Sequence, residues 1–482
     1  MSARVGRWGR RVVGAVLTLW LVACGETGLF VWRSEPAAAG VPSLSAWVLM
    51  LEEPDWQAEM LLRAGQPAGE SGPPAITVSG FSVDSANYYQ RIETAAARGE
   101  APDIVFIENA SQLLAWIAAG YVEPLDDCRR SHDALAAIRD EAWTLVAHDG
   151  QTWAMPIGLN VLLFFYQKDL LRSLGWSDER IDGLPAAIAA GQFTLEDAAL
   201  TARAAVAAGV VQPGYGFWQP LVVSRQMRYY YDALGGRVYD PAGDQLVVEP
   251  AVLERANALL ARLADERVSA PFTFAGESNS WSVRTVWHDA VMHDRVLFWL
   301  ADSADWTKWV TDYVEHPDGE AYLLSKVGAA LLPSAIPGRP GPPSYWWSAF
   351  VIMNERASGR RNQAAACDLL AAMTAPSIAS VYPAFESEFH VLTDEAVAAA
   401  TAATAATPEP SRPPPRFTAL NHAMIAPVWQ SPTMLDERMT VYNLLLSSAV
   451  GDVAGGRLSP AEGATVVVER LRVALGPALN IR

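Results

Sequence analysis

The sequence predicts an α/β fold of two lobes, and three observations predict it. Short apolar strands alternate with helices along most of the chain. The length, 482 residues, exceeds what one ordinary core organises. Hydrophobic residues make up 51% and charged residues 18%, a globular balance with enough apolar side chains for two cores. A formal charge of −17, with no basic stripe after residue 33, argues against a nucleic-acid partner. The three cysteines form no CxxC and no Cys/His cluster, so no metal and no cofactor are expected. Eighteen Trp is a high number; Trp packs in cores, and the excess points to flat apolar faces for a ligand.

The N-terminus sets the compartment. "MSARVGRWGRR" is a basic leader, and "VVGAVLTLWLVA" is an apolar stretch too short to span a bilayer alone. It ends in "LVACG", which resembles the lipobox of bacterial lipoproteins. The resemblance implies that Cys24 carries lipid, that residues 1–23 are a removed signal peptide and that residues 24–42 are a tether. The competing reading, an uncleaved anchor over residues 12–32, would place Glu26 in lipid at high cost. Cys128 follows an acidic loop and Cys367 lies in the apolar "AAACDLLAAM". An oxidising compartment permits a disulfide between them. Nothing in the sequence brings them together, and two buried thiols are expected.

The elements follow in order. "LSAWVLM" reads as a first strand, "DWQAEMLLRAG" as a helix, "AITVSGFS" as a second strand and "ANYYQRIETAAARG" as a helix. "PDIVFI" is a short buried strand, and "SQLLAWIAAG" a helix with Ser111 as candidate N-cap and Gly120 as its stop. Between them stand Glu108 and Asn109, beyond the carboxyl end of the strand, where α/β proteins collect ligands. "TWAMPI" is a short strand and "NVLLFFYQ" a longer β-rich run into a helix. "FTLEDAALTARAAVAAG" is a helix with Thr194 at its cap and Asp197 at the capping-box position. "RVLFWLADSADW" is a buried strand with a polar end, and "KVGAALLPSAIPGRPGPPSYWWSAFVIMN" is strand, Pro-rich loop, strand. The C-terminal third is helical apart from "TPEPSRPPPRF", which no helix accommodates.

These segments, in this order, resemble the extracellular solute-binding proteins of ABC sugar importers, the family of maltose-binding protein. "ARGEAPDIVF" with "LLAWIAAGYVEPLD", "DGQTWAMPIGLNVLLFFYQKDLL", "LGGRVYDPAGDQLVVEPAVLERANALLARL", "VGAALLPSAIPG" and "SPAEGATVVVERLR" carry the resemblance over residues 45–475. It implies a type II-like binding fold with hinge-crossing strands and an interlobe cleft. Lobe 1 would comprise residues 43–158 and 297–347, and lobe 2 residues 159–296 and 348–482. Closure on a ligand held by both lobes would report occupancy to importer permease subunits. A monomer held at the membrane by its lipid is implied, with no catalysis.

The resemblance also implies the ligand contacts. Glu108 and Asn109 stand at the end of a lobe 1 strand, where capping the next helix is their alternative role. Asn160 sits at the first crossing as a lone amide in apolar surroundings. Trp306 occupies the place of a cleft tryptophan, although the family's Gly-Ser-like turn is missing, and Asp302 and Asp305 are neighbouring candidates. Trp346 and Trp347 precede the last crossing; neighbours on a strand point oppositely, so one would face the cleft and the other pack. Trp429 in "MIAPVWQSP" is a further stacking candidate. Aromatic planes would cover sugar faces, at about 25 cal/mol per Å2, while the polar rim would select among hydroxyl patterns. A polyamine, or another small solute, is the alternative ligand, since Glu108, Asp302 and Asp305 would suit a cation. A sensor or adhesion lipoprotein and an exported glycoside hydrolase are further readings. The latter lacks HExxH and GxSxG, and His288 and His293, five residues apart, do not share a helical face.

Overall fold

Two apolar runs that read as separate strands form one. In the computed structural model, Met155–Gln167 is a single strand with every residue buried. The β-rich composition of "NVLLFFYQ" carries the extended backbone back through Gly158 and Pro156. The structure describes residues 29–33, 43–49, 56–65, 75–81, 85–218, 225–269, 288–310, 314, 316, 318–379, 389–406 and 435–482. Cys24, Trp429, the leader and the Pro-rich "TPEPSRPPPRF" lie outside the described residues.

In chain order the strands are β1 (Leu29–Arg33), β2 (Leu44–Leu49), β3 (Ile76–Phe81), β4 (Ile104–Ile107), β5 (Ala147–His148), β6 (Gln151–Thr152) and β7 (Met155–Gln167). There follow β8 (Phe217–Trp218), β9 (Tyr239–Asp240), β10 (Gln245–Val248), β11 (Phe298–Asp302), β12 (Val327–Ala330), β13 (Tyr345–Ile352), β14 (Phe389–His390) and β15 (Leu479–Ile481). The first four helices are α1 (Trp56–Ala64), α2 (Ser85–Arg98), α3 (Ala110–Ala119) and α4 (Asp126–Ser131). The expected tether contains a strand: β1 pairs antiparallel with β3 through the register Leu29–Phe81 to Arg33–Thr77.

The chain divides into two units, and the boundaries between them include those at Ile157–Gly158 and at Trp347–Ser348. This corrects the expected lobes, because residues 297–347 belong to the second unit and 348–385 to the first. Strand pairing is the reason. β11 pairs with Leu162–Tyr166 of β7 and β12 with Phe164–Gln167, inside the second unit. Ala349–Ile352 of β13 instead pair with Ile104–Ile107 of β4, inside the first.

In the first unit β2 lies parallel between β3 and β4. This strand-helix-strand pattern buries β4 completely, with Ile104, Val105 and Ile107 at 0% exposure. Tyr88 of α2 fixes the helix to the sheet by donating to the carbonyls of Trp47 and Phe106, at 2.8 and 3.1 Å. At the start of β4 the buried carboxylate of Asp103 accepts from Arg360 Nε at 2.9 Å, from Asn362 Nδ2 at 3.1 Å and from Ser45 N and Oγ at 2.8 and 2.9 Å. Arg360 also donates to Ala101 O at 2.7 Å and to Ser45 Oγ at 3.0 Å, so the charged partner of this buried carboxylate is itself anchored.

The two remaining cysteines are joined. Cys128 of α4 and Cys367 of the helix Gln363–Ala372 form a disulfide across a sequence separation of 239, with Cα atoms 5.7 Å apart. The expectation of two buried thiols fails because packing of two distant helices, invisible to local pattern, brings the cysteines together.

The second unit is built on β7. Phe164 packs among Phe193, Phe217 and Phe298, with centroids 5.0–6.5 Å away. The helix Leu195–Ala207 starts with the expected capping box, Thr194 with Asp197, and the closing helix Pro460–Leu475 with another, Ser459 with Glu462. Gly328 of β12 lies opposite Tyr166, whose ring occupies the space a Cβ would need.

Candidate functional site

In the first unit, β4 ends at Ile107 and delivers Glu108 and Asn109 to the loop before α3. Asn109, not Ser111, caps that helix: its Oδ1 accepts from Ser111 N at 3.0 Å and Gln112 N at 3.2 Å. Asn109 adopts the extended backbone a cap requires, whereas Ser111 is already helical. Gly120 ends α3 in the left-handed region at φ 64°, as expected. The cap engages the oxygen of this exposed side chain and does not involve its amide nitrogen. Glu108 is half-buried, and its N–H donates to Tyr89 Oη at 3.2 Å. Burial, and next the charge of Glu108, push the Tyr89 hydroxyl well above its ordinary pKa. Tyr89 therefore stays a neutral donor and acceptor beneath the Glu108 backbone.

In the second unit, three predicted residues come together where β7 meets the turn after β11. Asn160, 7% exposed, accepts on Oδ1 from Ser303 Oγ at 2.9 Å and from Ala304 N at 3.2 Å. Ser303 Oγ in turn accepts from Val161 N at 3.2 Å, and Ser303 N donates to Val161 O at 2.9 Å. The amide plane is thereby fixed, and among the described residues nothing receives its Nδ2 donors. Asp302 and Asp305 flank this turn, half-buried, with Asp305 Oδ2 accepting from Asp302 N at 3.2 Å. Sequence reasoning missed Ser303, although a serine one residue past a strand end is a common partner for a buried amide.

Trp306 departs from its expected part. It is 1% exposed, its indole N–H donates to Glu320 Oε1 at 3.0 Å, and its ring stacks over Phe165 at 6.3 Å. Trp309 closes on its edge, also at 6.3 Å. With Ser303-Ala304 in place of a Gly-Ser-like turn, the helix Asp305–Lys308 begins two residues after the strand, and Trp306 packs into the core. Trp346 and Trp347 begin β13 beside the same stretch of β7, where Leu162 N donates to Ser344 O at 2.8 Å. Trp347 is 6% exposed and Trp346 half-buried, like Tyr345 before it, while every residue of β13 from Trp347 on is buried. The "RYYYD" tyrosines 229, 230 and 231 are core residues. His288 is also buried, its Nδ1 accepting from Trp309 Nε1 at 2.9 Å, and no joint site with the exposed His293 follows.

Two α/β units, joined by strands that run from one into the other and each presenting polar groups at strand ends, define a binding protein. Over residues 67–386 the chain matches the bacterial extracellular solute-binding protein family, and it belongs to that family. Solved structures share the fold. Maltose-bound MalE3 of T. maritima is 16% identical with a TM-score of 0.65, covering 90% of this chain and 100% of that one. The GacH receptor of Streptomyces glaucescens, solved unliganded and with acarbose, is 14% identical with a TM-score of 0.65, covering 91% and 99%. The maltose/maltodextrin-binding domain MalE of Bdellovibrio bacteriovorus, bound to maltotriose, is 13% identical with a TM-score of 0.61, covering 90% and 100%. At such identities the likeness is one of fold. No curated protein matches the chain. Among the described residues no helix is long and apolar enough to cross a membrane.

Proposed function

We propose that the protein is the extracytoplasmic ligand-binding component of an ABC importer and that its ligand is a sugar or oligosaccharide. The observation that carries this reading is the Asn160 amide. Its oxygen is committed to Ser303 and Ala304, which leaves two oriented N–H donors within an otherwise apolar stretch of β7. Fixed donors of this kind suit hydroxyl oxygens, because orientation is set before the ligand arrives. Asp302 and Asp305 supply acceptors for hydroxyl protons, and Trp346 supplies an apolar plane. Glu108, Asn109, Trp347 and Trp429 are further proposed ligand contacts. The sugars named in the structurally similar proteins support the ligand class. A lipid on Cys24 would hold the protein beside its permease subunits, as a monomer.

A thermal-shift screen of the purified protein against saccharides, polyamines and glycerol phosphates tests the reading. A ligand at about 1,000 times its Kd adds roughly 4 kcal/mol of stability. A saccharide that stabilises the protein and returns with unchanged mass supports a sugar binder. Stabilisation by polyamines alone would move the argument to the acidic groups, and a cleaved saccharide would point to a hydrolase. No shift with any saccharide overturns the proposal.

A further inference from the structure

The disulfide of the first unit is accompanied by groups that a cross-link alone does not need. His132 stands four residues after Cys128, and its Nδ1 lies 3.3 Å from Cys367 Sγ. The same nitrogen is 3.1 Å from Cys128 O and 2.9 Å from Ser131 Oγ. Its Nε2 meets Asp368 Oδ1 at 2.8 Å. One helix thus brings both a sulfur and, at the next residue, the carboxylate that orients the imidazole beside it. The cysteines are 8% and 5% exposed, but His132 and Asp368 open on a cavity of about 530 Å3 that Asp133, Ala371 and Thr374 also line. The charged groups of α4 have other partners: Arg129 pairs with Asp140, Arg130 with Asp127 of the same helix, and Asp126 Oδ2 accepts from Thr152 N at 3.1 Å.

We propose that Cys128–Cys367 is a thiol–disulfide exchange site, in which His132 carries the proton of the Cys367 sulfur and Asp368 is its positioning residue. The co-reactant is an external dithiol. Its thiolate attacks Cys128 Sγ, forming a mixed disulfide as the Cys128–Cys367 bond breaks. The electron pair passes to Cys367 Sγ, which takes a proton from His132 Nδ1. The second thiol of the reductant gives up its proton and attacks the reductant sulfur of the mixed disulfide, releasing Cys128, which is protonated. The dithiol leaves as a disulfide, and two protein cysteines are reduced. Cys367 is the leaving sulfur because a thiol stabilised as its anion departs faster. In the oxidising direction His132 takes the proton from Cys367 as that sulfur closes on Cys128.

The test follows reduction of the folded, oxidised full-length chain by dithiothreitol, with alkylation and peptide mass mapping to separate Cys128 and Cys367 from Cys24. The expected results are a rate that rises with dithiothreitol concentration and alkylation that appears on Cys367 before Cys128. His132→Gln is expected to slow reduction about tenfold or more near pH 6, and Asp368→Asn to slow it in the same direction by less. After correction for the reductant's thiolate fraction, the deficit is expected to shrink as pH rises. If His132→Gln does not fold, Asp368→Asn, an exposed position, carries the test alone. Rates within twofold of the parent in every variant that folds, alkylation starting on Cys128, or a rate independent of reductant would overturn the proposal and leave a structural cross-link only.

Discussion

Ser303 Oγ donates to Asn160 Oδ1 at 2.9 Å while accepting from Val161 N, so one hydroxyl locks an amide on β7 to the turn that follows β11. Removing the amide deletes the proposed ligand donors and leaves the Ser303 hydroxyl and the Ala304 N–H short of an acceptor. Asn160→Ala is expected to weaken saccharide binding by about 1–3 kcal/mol, roughly 5- to 150-fold. Titration calorimetry with the saccharide found in the screen measures it. An unchanged Kd would remove Asn160 from the binding surface.

Asp103 is 2% exposed and depends on Arg360 for its charge partner. Arg360→Ala leaves a carboxylate buried with only neutral donors, and about 3 kcal/mol of stability is expected to go with it. Denaturant unfolding would show the loss as a lower midpoint at an unchanged slope. A midpoint equal to the parent's would mean that Ser45 and Asn362 suffice.

Gly328 faces the ring of Tyr166, whose hydroxyl donates to Ile181 O at 3.3 Å. A methyl group there must displace a fully packed ring. Gly328→Ala is expected to cost about 1–3 kcal/mol, measured by urea unfolding, while Gly456→Ala, with open space around it, tests backbone strain without a clash.

Burial raises the carboxyl pKa of Asp232, and Arg228, 2.7 Å away, offsets only part of the effect. A carboxyl whose folded pKa is raised contributes stability that is fully present below its unfolded pKa, 3.8, and is lost as pH rises through the folded value. Relative to Asp232→Asn, the parent is therefore expected to be most favoured near pH 3 and to lose that advantage steadily above pH 4. Melting temperatures of both proteins from acid to neutral pH give the comparison, and a gap that widened with pH would reverse the assignment.

Local chemistry was legible in the sequence where it is local in the structure. The Thr194–Asp197 capping box, the αL stop at Gly120 and the strand-loop-strand around the Pro-rich "PGRPGPP" each depend on residues a few positions apart. At α3 the sequence offers Ser111 as the cap and Asn109 as an alternative, and only the extended backbone at Asn109 decides between them. Three features escaped because their causes are distant. The disulfide needs two helices far apart in sequence, the allocation of residues 297–347 needs the pairing of β11 and β12 with β7, and the burial of Trp306 needs the Phe165 and Trp309 rings. Of the candidate site, residue types and strand ends were readable, while the Ser303 anchor of Asn160 was not.

The bond between Cys128 and Cys367 encloses, within one covalent ring, the whole stretch from Gly158 to Trp347 that builds most of the second unit. A protease that cuts the backbone once anywhere in that ring opens it without releasing a fragment. The nicked chain keeps its mass and migrates as one species until a reductant is added, when it falls into two. Damage confined to the second unit would thus leave both parts of the molecule covalently joined, and a reducing and a non-reducing gel of the same digest would tell the intact ring from the cut one.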